Sequence, residues 1–254
     1  MLIGLLAALF MILFSGGPEE VFLVPNAEKN LKSIIDDKEK KNQAVDLFKI
    51  TKQEIMAFNK ELKKKNKELK NSSYRSSLNE STVELLLKES FENRKDLQSH
   101  ITDQRLKIRE LLTKDEWDRF IKVSIEEMTS KEKKSQKAQL KKDKEAEKLL
   151  SKFKSSLDKN ISDKEKLDKA LKDYSNFEQL IILKFEQLNA LTFENNSSVR
   201  AYSVDRETLS SIYSDLNEAR QELYDGFLTM RSSMTAYLTD DEWNAVSKSF
   251  IGLL

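Results

Sequence analysis

The hexapeptide Leu112-Thr113-Lys114-Asp115-Glu116-Trp117 returns 126 positions later as Leu238-Thr239-Asp240-Asp241-Glu242-Trp243, and the two copies hold both tryptophans of the chain. At this offset residues 82–125 align without a gap onto 208–251 with twelve identities, among them Glu92/Glu218, Arg94/Arg220, Leu97/Leu223 and Arg105/Arg231. Upstream, Asn71-Ser72-Ser73-Tyr74-Arg75 matches Asn196-Ser197-Ser198-Val199-Arg200 one position out of step, so a single residue separates the copies in the following loop. A repeat of this period means one supersecondary unit used twice. Roughly residues 40–128 answer to 166–253.

Within each copy the apolar spacing is that of two helices. Phe48, Ile55, Leu62 and Leu69 recur every seven residues, with Val45, Ile50 and Phe58 widening the stripe. After the Asn/Ser-rich turn, Val83, Leu87, Ser90, Arg94, Leu97, Ile101, Gln104, Ile108 and Leu111 follow alternating steps of four and three, the seam of a coiled-coil-like partner. The second copy repeats the design with Tyr174, Phe177, Ile181, Leu188 and Leu191, then Leu209, Leu216, Leu223, Phe227, Met230, Met234 and Tyr237. Short loops make successive helices antiparallel. The expected fold class is all-α: tandem long antiparallel helical hairpins, each followed by a short helix and preceded, at the N-terminus, by a membrane segment.

Composition agrees. The chain has 5 Gly, 2 Pro and 34% charged residues, the balance of long helices rather than sheets. Its formal charge of +1 hides an uneven distribution: 131–154 holds ten Lys against four acidic residues, whereas 176–254 holds six Lys/Arg against twelve Asp/Glu. That is not the pattern of a uniformly basic nucleic-acid binder. With no cysteine and the single His100, neither a thiolate nor a His-based metal site can be assembled. No glycine-rich phosphate loop or nucleophile–base set is present, and Gly226 is an isolated helix glycine. No enzyme activity, cofactor, metal, small-molecule substrate or nucleic acid is expected.

Residues 1–14, MLIGLLAALFMILF, contain no polar side chain, and Ser15-Gly16-Gly17-Pro18 ends the run. A secretory signal would carry Lys or Arg first and small residues before a cleavage point, and this segment has neither pattern. Fourteen apolar residues at about 1.5 Å each give roughly 20 Å against a hydrocarbon layer of roughly 30 Å, so an anchor packed beside other membrane helices fits better than a lone span. The expected organisation is an anchor or uncleaved signal over 1–17, a linker over 18–39, the first hairpin over 40–128, a Lys-rich linker or helix over 129–162 and the second hairpin over 163–254. Flanking charge does not fix orientation. The expectation is a periplasmic, envelope-facing soluble part, with a cytoplasm-facing spacer as the alternative.

The repeated hexapeptide has the form of a capping box, Thr113 and Thr239 as N-caps with Glu116 and Glu242 reaching back. Trp117 and Trp243 then fold the short helix onto the hairpin, or contact a partner. Arg94 and Arg220 fall on the seam itself, each two residues after a Glu, which points to setting register or to recognising an acidic group. The second copy carries further apolar residues off the seam, Leu180, Ile182, Phe185 and Phe193, a candidate contact surface for the other hairpin or for a partner protein.

The L-T-x-D-E elements, Leu112 to Glu116 and Leu238 to Glu242, resemble the L-T-x-x-Q element of the Spy/CpxP-like periplasmic proteins, with Glu in place of Gln. The resemblance implies an all-helical hairpin protein of the envelope acting as a chaperone or stress sensor. The residues themselves point first to a membrane-anchored scaffold or adaptor binding a membrane-associated protein, with self-association as a further possibility.

Overall fold

The computed structural model describes residues 26–73, 80–124 and 154–251, and every regular element among them is an α-helix. Helix α1 spans Ala27–Ile34 and α2 Lys38–Ser73; α3 spans Glu80–Leu111 and α4 residues 114–124. The second copy supplies α5 (154–160), α6 (Lys164–Arg200), α7 (Arg206–Tyr237) and α8 (Asp240–Ile251).

The long helices bury the stripe that their spacing demands. Phe48, Ile55 and Leu62 of α2 and their counterparts Tyr174, Ile181 and Leu188 of α6 are all buried. Ile50 is a departure: it lies about 200° around the helix from Phe48, and is 43% exposed. Carboxylates start three of the long helices, α2, α6 and α7. Asp37 accepts from the Lys40 amide at 2.8 Å, Asp163 from Lys166 at 3.0 Å and Asp205 from Thr208 at 2.8 Å, each satisfying a first-turn N–H.

Helix α2 packs on α3, and α6 on α7. Lys40, at the start of α2, pairs with Glu116 just beyond the end of α3, while Lys65 near the end of α2 pairs with Glu89 near the start of α3 at 2.9 Å. The two helices therefore run antiparallel. Lys166–Glu242 at 3.1 Å and Lys184–Glu222 give α6 and α7 the same sense. The third large contact joins α3 to α7, and α8 of the second copy touches α2 of the first.

The core is not one block. One apolar cluster joins Leu31, Ile35, Val45, Phe48, Ile101 and Trp117; another joins Leu157, Ile161, Phe177, Leu223, Phe227 and Trp243. Each is completed by the other copy: Leu86, Leu87 and Phe91 of α3 enter the second cluster, and Tyr202 packs on the first.

The repeated unit begins earlier than position 40. Helices α1 and α5 lie inside the span 18–39 read as a linker and the span 129–162 read as a linker or helix, and they are equivalent: Leu31/Leu157 and Ile35/Ile161 are identical and buried, and Asp37-Lys38-Glu39-Lys40 repeats as Asp163-Lys164-Glu165-Lys166. Their apolar anchors are few, but they close the open base of a helix pair, where burial of each Leu or Ile side chain contributes about 1.5–3 kcal/mol. Among the described residues no helix is long and apolar enough to cross a membrane. Residues 1–17 and most of the Lys-rich stretch lie outside the described residues.

Candidate functional site

The polar residues of the two central helices converge where α3 crosses α7. Gln98 and Asn217 exchange amide hydrogen bonds: the Asn217 Nδ2 donates to Gln98 Oε1 at 2.6 Å and the Gln98 Nε2 donates to Asn217 Oδ1 at 3.4 Å. Asn217 Oδ1 also accepts from Arg220 at 3.1 Å. Near the C-terminus of α3, Arg109 donates to the Val204 carbonyl at 2.7 Å, just before α7 begins, and Arg206 reaches Ser99 at 3.0 Å and pairs with Asp103. Helices α3 and α7 thus run antiparallel. Counted one turn from the Gln98–Asn217 pair, position 94 faces position 221, beside Arg220, its own counterpart in the repeat.

Both arginines are buried. Arg94 lies over the Phe58 ring at 5.4 Å, a cation–π contact with α2, and its charge and that of Arg220 act together on the Tyr224 phenol. Burial raises the Tyr224 pKa, against the two guanidinium charges, so the phenol stays neutral at physiological pH. Glu92 sits at the surface and pairs with Lys95 at 3.4 Å. Arg94 thus meets α2 of its own copy through Phe58 and Arg220 meets Asn217 of its own helix, while both charges reach Tyr224 of the second copy.

A second node lies at the end of the bundle. The Trp117 indole N–H donates to the Arg200 carbonyl at 2.9 Å, the Tyr202 hydroxyl donates to the Leu112 carbonyl at 3.0 Å, and Arg105 donates to the carbonyls of Val199 and Ala201 at 2.5 and 3.2 Å. Arg105 also stacks over the Trp117 ring at 5.0 Å. Burial lowers the Arg105 pKa to about 10, which leaves it charged at neutral pH. The turn joining α6 to α7 is thereby held by the end of the other copy.

The hexapeptide is the capping box its spacing predicts. Thr113 Oγ1 accepts from the Glu116 amide at 3.2 Å and Glu116 Oε2 accepts from the Thr113 amide at 2.7 Å; Thr239 and Glu242 repeat this at 3.3 and 2.8 Å. The same carboxylates take Lys40 and Lys166. For Glu116 burial works to raise the pKa but is outweighed by hydrogen bonds from Lys40 and Thr113; for Glu242 the Thr239 amide leads, with Lys166 adding to it. Both carboxyls are held below their ordinary value.

The candidate contact residues divide. Trp117 and Trp243 are buried, as are Arg94 and Arg220. Leu180 and Ile182 pack against the second core rather than facing outward, and a Cβ at Gly226 would stand 2.3 Å from Leu180 Cδ2, so this glycine admits a close approach of α6. The side chains of Phe185 and Phe193 lie outside the described residues. Leu183, between Ile182 and Lys184, is instead 58% exposed. Sequence reasoning passed over Lys40, Lys166, Gln98, Asn217 and Tyr202. The two lysines were legible by carrying the 126-residue offset upstream. Gln98, Asn217 and Tyr202 have no repeated signal, because Gln98 answers to Tyr224 and Asn217 to Phe91.

Among the described residues no group of three or more His, Cys, Asp or Glu is arranged to hold a metal ion. Comparison with known protein families, characterised proteins and solved structures finds no match for this chain.

Proposed function

We propose that the chain is a membrane-anchored helical scaffold or adaptor, facing the envelope, made of two tandem copies of one hairpin unit locked side by side in opposite senses, and that it binds another membrane-associated protein. The observation that carries this reading is the destination of the repeated side chains. Trp117, Arg105, Arg94 and the two Glu–Lys pairs are spent on fixing helix to helix and copy to copy. Such a design supplies a rigid body about 45 Å long, set by 32-residue central helices at about 1.5 Å per residue, and leaves recognition to the outer helix faces. The apolar residues 1–14 support a tether at one end.

The test is mild detergent extraction of the full chain followed by size analysis, with protease access to the C-terminus scored in intact and opened cells. Co-purification of a membrane protein and protection in intact cells behind an outer barrier are expected. A solitary chain released without detergent contradicts the reading, and C-terminal access only after the inner membrane is opened replaces the envelope-facing form with a cytoplasm-facing one.

A further inference from the structure

The outer surface of α2 is divided lengthwise by charge. At about 100° per residue, Lys49, Lys52, Lys60 and Lys63 all fall within about 40° of Met56, and Lys64 lies about 80° from it. All five lysines are exposed, and Met56 in their midst is 63% exposed. The carboxylates of this helix after its first turn, Asp46, Glu54, Glu61 and Glu68, are placed about 80–160° away around it. Lys49 faces Asp46 at 3.0 Å, Lys52 faces Glu28 of α1 at 3.6 Å and Lys64 faces Glu68 at 3.9 Å, yet the three lysine side chains keep 48%, 56% and 68% exposure. The sequence continues the same spacing at Lys67 and Lys70.

The second copy does not share this flank. At the 126-residue offset, Lys49, Lys52, Met56, Lys60 and Lys63 become Ser175, Glu178, Ile182, Glu186 and Asn189. The basic flank is therefore no by-product of the fold, which the second copy builds without it.

We propose that this flank of α2 docks onto an anionic lipid bilayer, so that the bundle lies along the membrane with its basic first copy toward the lipid; this rests on the reading of residues 1–17 as a membrane tether. Two features favour lipid over an acidic protein. Residues 18–25 separate the tether from Asn26, and eight residues reach at most about 30 Å, which brings α1 and the α2 against which it packs close to the bilayer. An exposed methionine inside a lysine stripe suits a surface where an apolar side chain enters the headgroup boundary while lysines keep their charge in water. Lysines near an anionic leaflet are attracted within about a Debye length.

The test uses the full chain with Met56→Cys, the sole cysteine, carrying an environment-sensitive dye. It is reconstituted with vesicles of phosphatidylcholine alone or mixed with phosphatidylserine. Flotation with neutral vesicles reports the tether, and failure to float removes the anchored reading. The dye reports the flank. A blue shift on phosphatidylserine vesicles only, abolished in about 1 M salt where the Debye length is about 3 Å, is expected. Lys60→Glu with Lys63→Glu is expected to lower the lipid-contacting fraction at least about tenfold with helix content and flotation unchanged. An equal dye response on neutral and anionic lipid, a response untouched by the charge reversal, or no response on either overturns the proposal.

Discussion

The indole N–H of Trp117 and the carbonyl oxygen of Arg200 meet at 2.9 Å, joining the end of the first copy to the turn of the second. A tryptophan repeated as part of a capping motif is thus a clasp between copies. Removing the donor while keeping the ring separates its two contributions. Trp117→Phe leaves the partly buried Arg200 carbonyl without this donor and should cost about 1–3 kcal/mol. Trp117→Ala adds a cavity and should cost about 3–5 kcal/mol. Urea denaturation followed by circular dichroism reads both, and a Trp117→Phe chain as stable as the native one would contradict the assignment of the hydrogen bond.

The amide pair at the crossing of α3 and α7 gives a sharper pattern. Gln98→Ala alone leaves Asn217 short of a partner in a buried site and should cost about 1–3 kcal/mol. Replacing both residues by Leu removes both polar groups and should come out near neutral or stabilising, because burying polar groups specifies an interface more than it strengthens it. A double variant destabilised by as much as Gln98→Ala would show that the pair stabilises in its own right.

Much of this was legible in the sequence, for a physical reason. Long helices with a 3.6-residue apolar period announce themselves, and the capping box is a local device whose partners lie three residues apart, at Thr113/Glu116 and Thr239/Glu242. What a single helix face cannot reveal is which neighbour it meets. Arg94 and Arg220 read as interruptions of a hairpin seam, and their spacing gives no sign that both charges also reach Tyr224 of the second copy. Leu180 reads as a surplus apolar residue because Gly226, which lets α6 approach, is silent in a periodicity count. The Glu that replaces Gln at the fifth position of the L-T-x-x-Q-like element finds its reason only in the fold: it caps its own helix and pairs with Lys40 or Lys166, 76 positions away.

Gly226 supplies a prediction of sign. Alanine there gains about 1 kcal/mol of helix propensity but collides with Leu180, and overpacking costs about 1–3 kcal/mol. Gly226→Ala should therefore destabilise the native chain and stabilise the Leu180→Ala variant. The same sign in both backgrounds would mean that α6 does not approach α7 at this position.

The two depressed carboxyls predict acid sensitivity at the ends of the bundle. A group whose folded pKa lies below its unfolded value contributes stability above the unfolded pKa, and loses it as pH falls through the folded one. Glu116 and Glu242 should thus support α4 and α8 above about pH 4.5 and release them progressively below it. Amide exchange resolved by residue should show α4 and α8 losing protection in that window before α3 and α7. Glu116→Gln with Glu242→Gln keeps a cap acceptor, lacks the titrating charge and should flatten this step.

The central claim is that α3 and α7 lie antiparallel within one chain, and a chain without cysteine allows it to be read directly. Ser99→Cys with Arg206→Cys, treated at low concentration with a short bismaleimide, should give a cross-link within a single chain, because Arg206 now donates to Ser99 at 3.0 Å. Ser99→Cys with Asp225→Cys, the pair that parallel packing of the two copies would bring together, should give none. A cross-link from the second pair and not the first, or cross-links only between chains, would contradict the account.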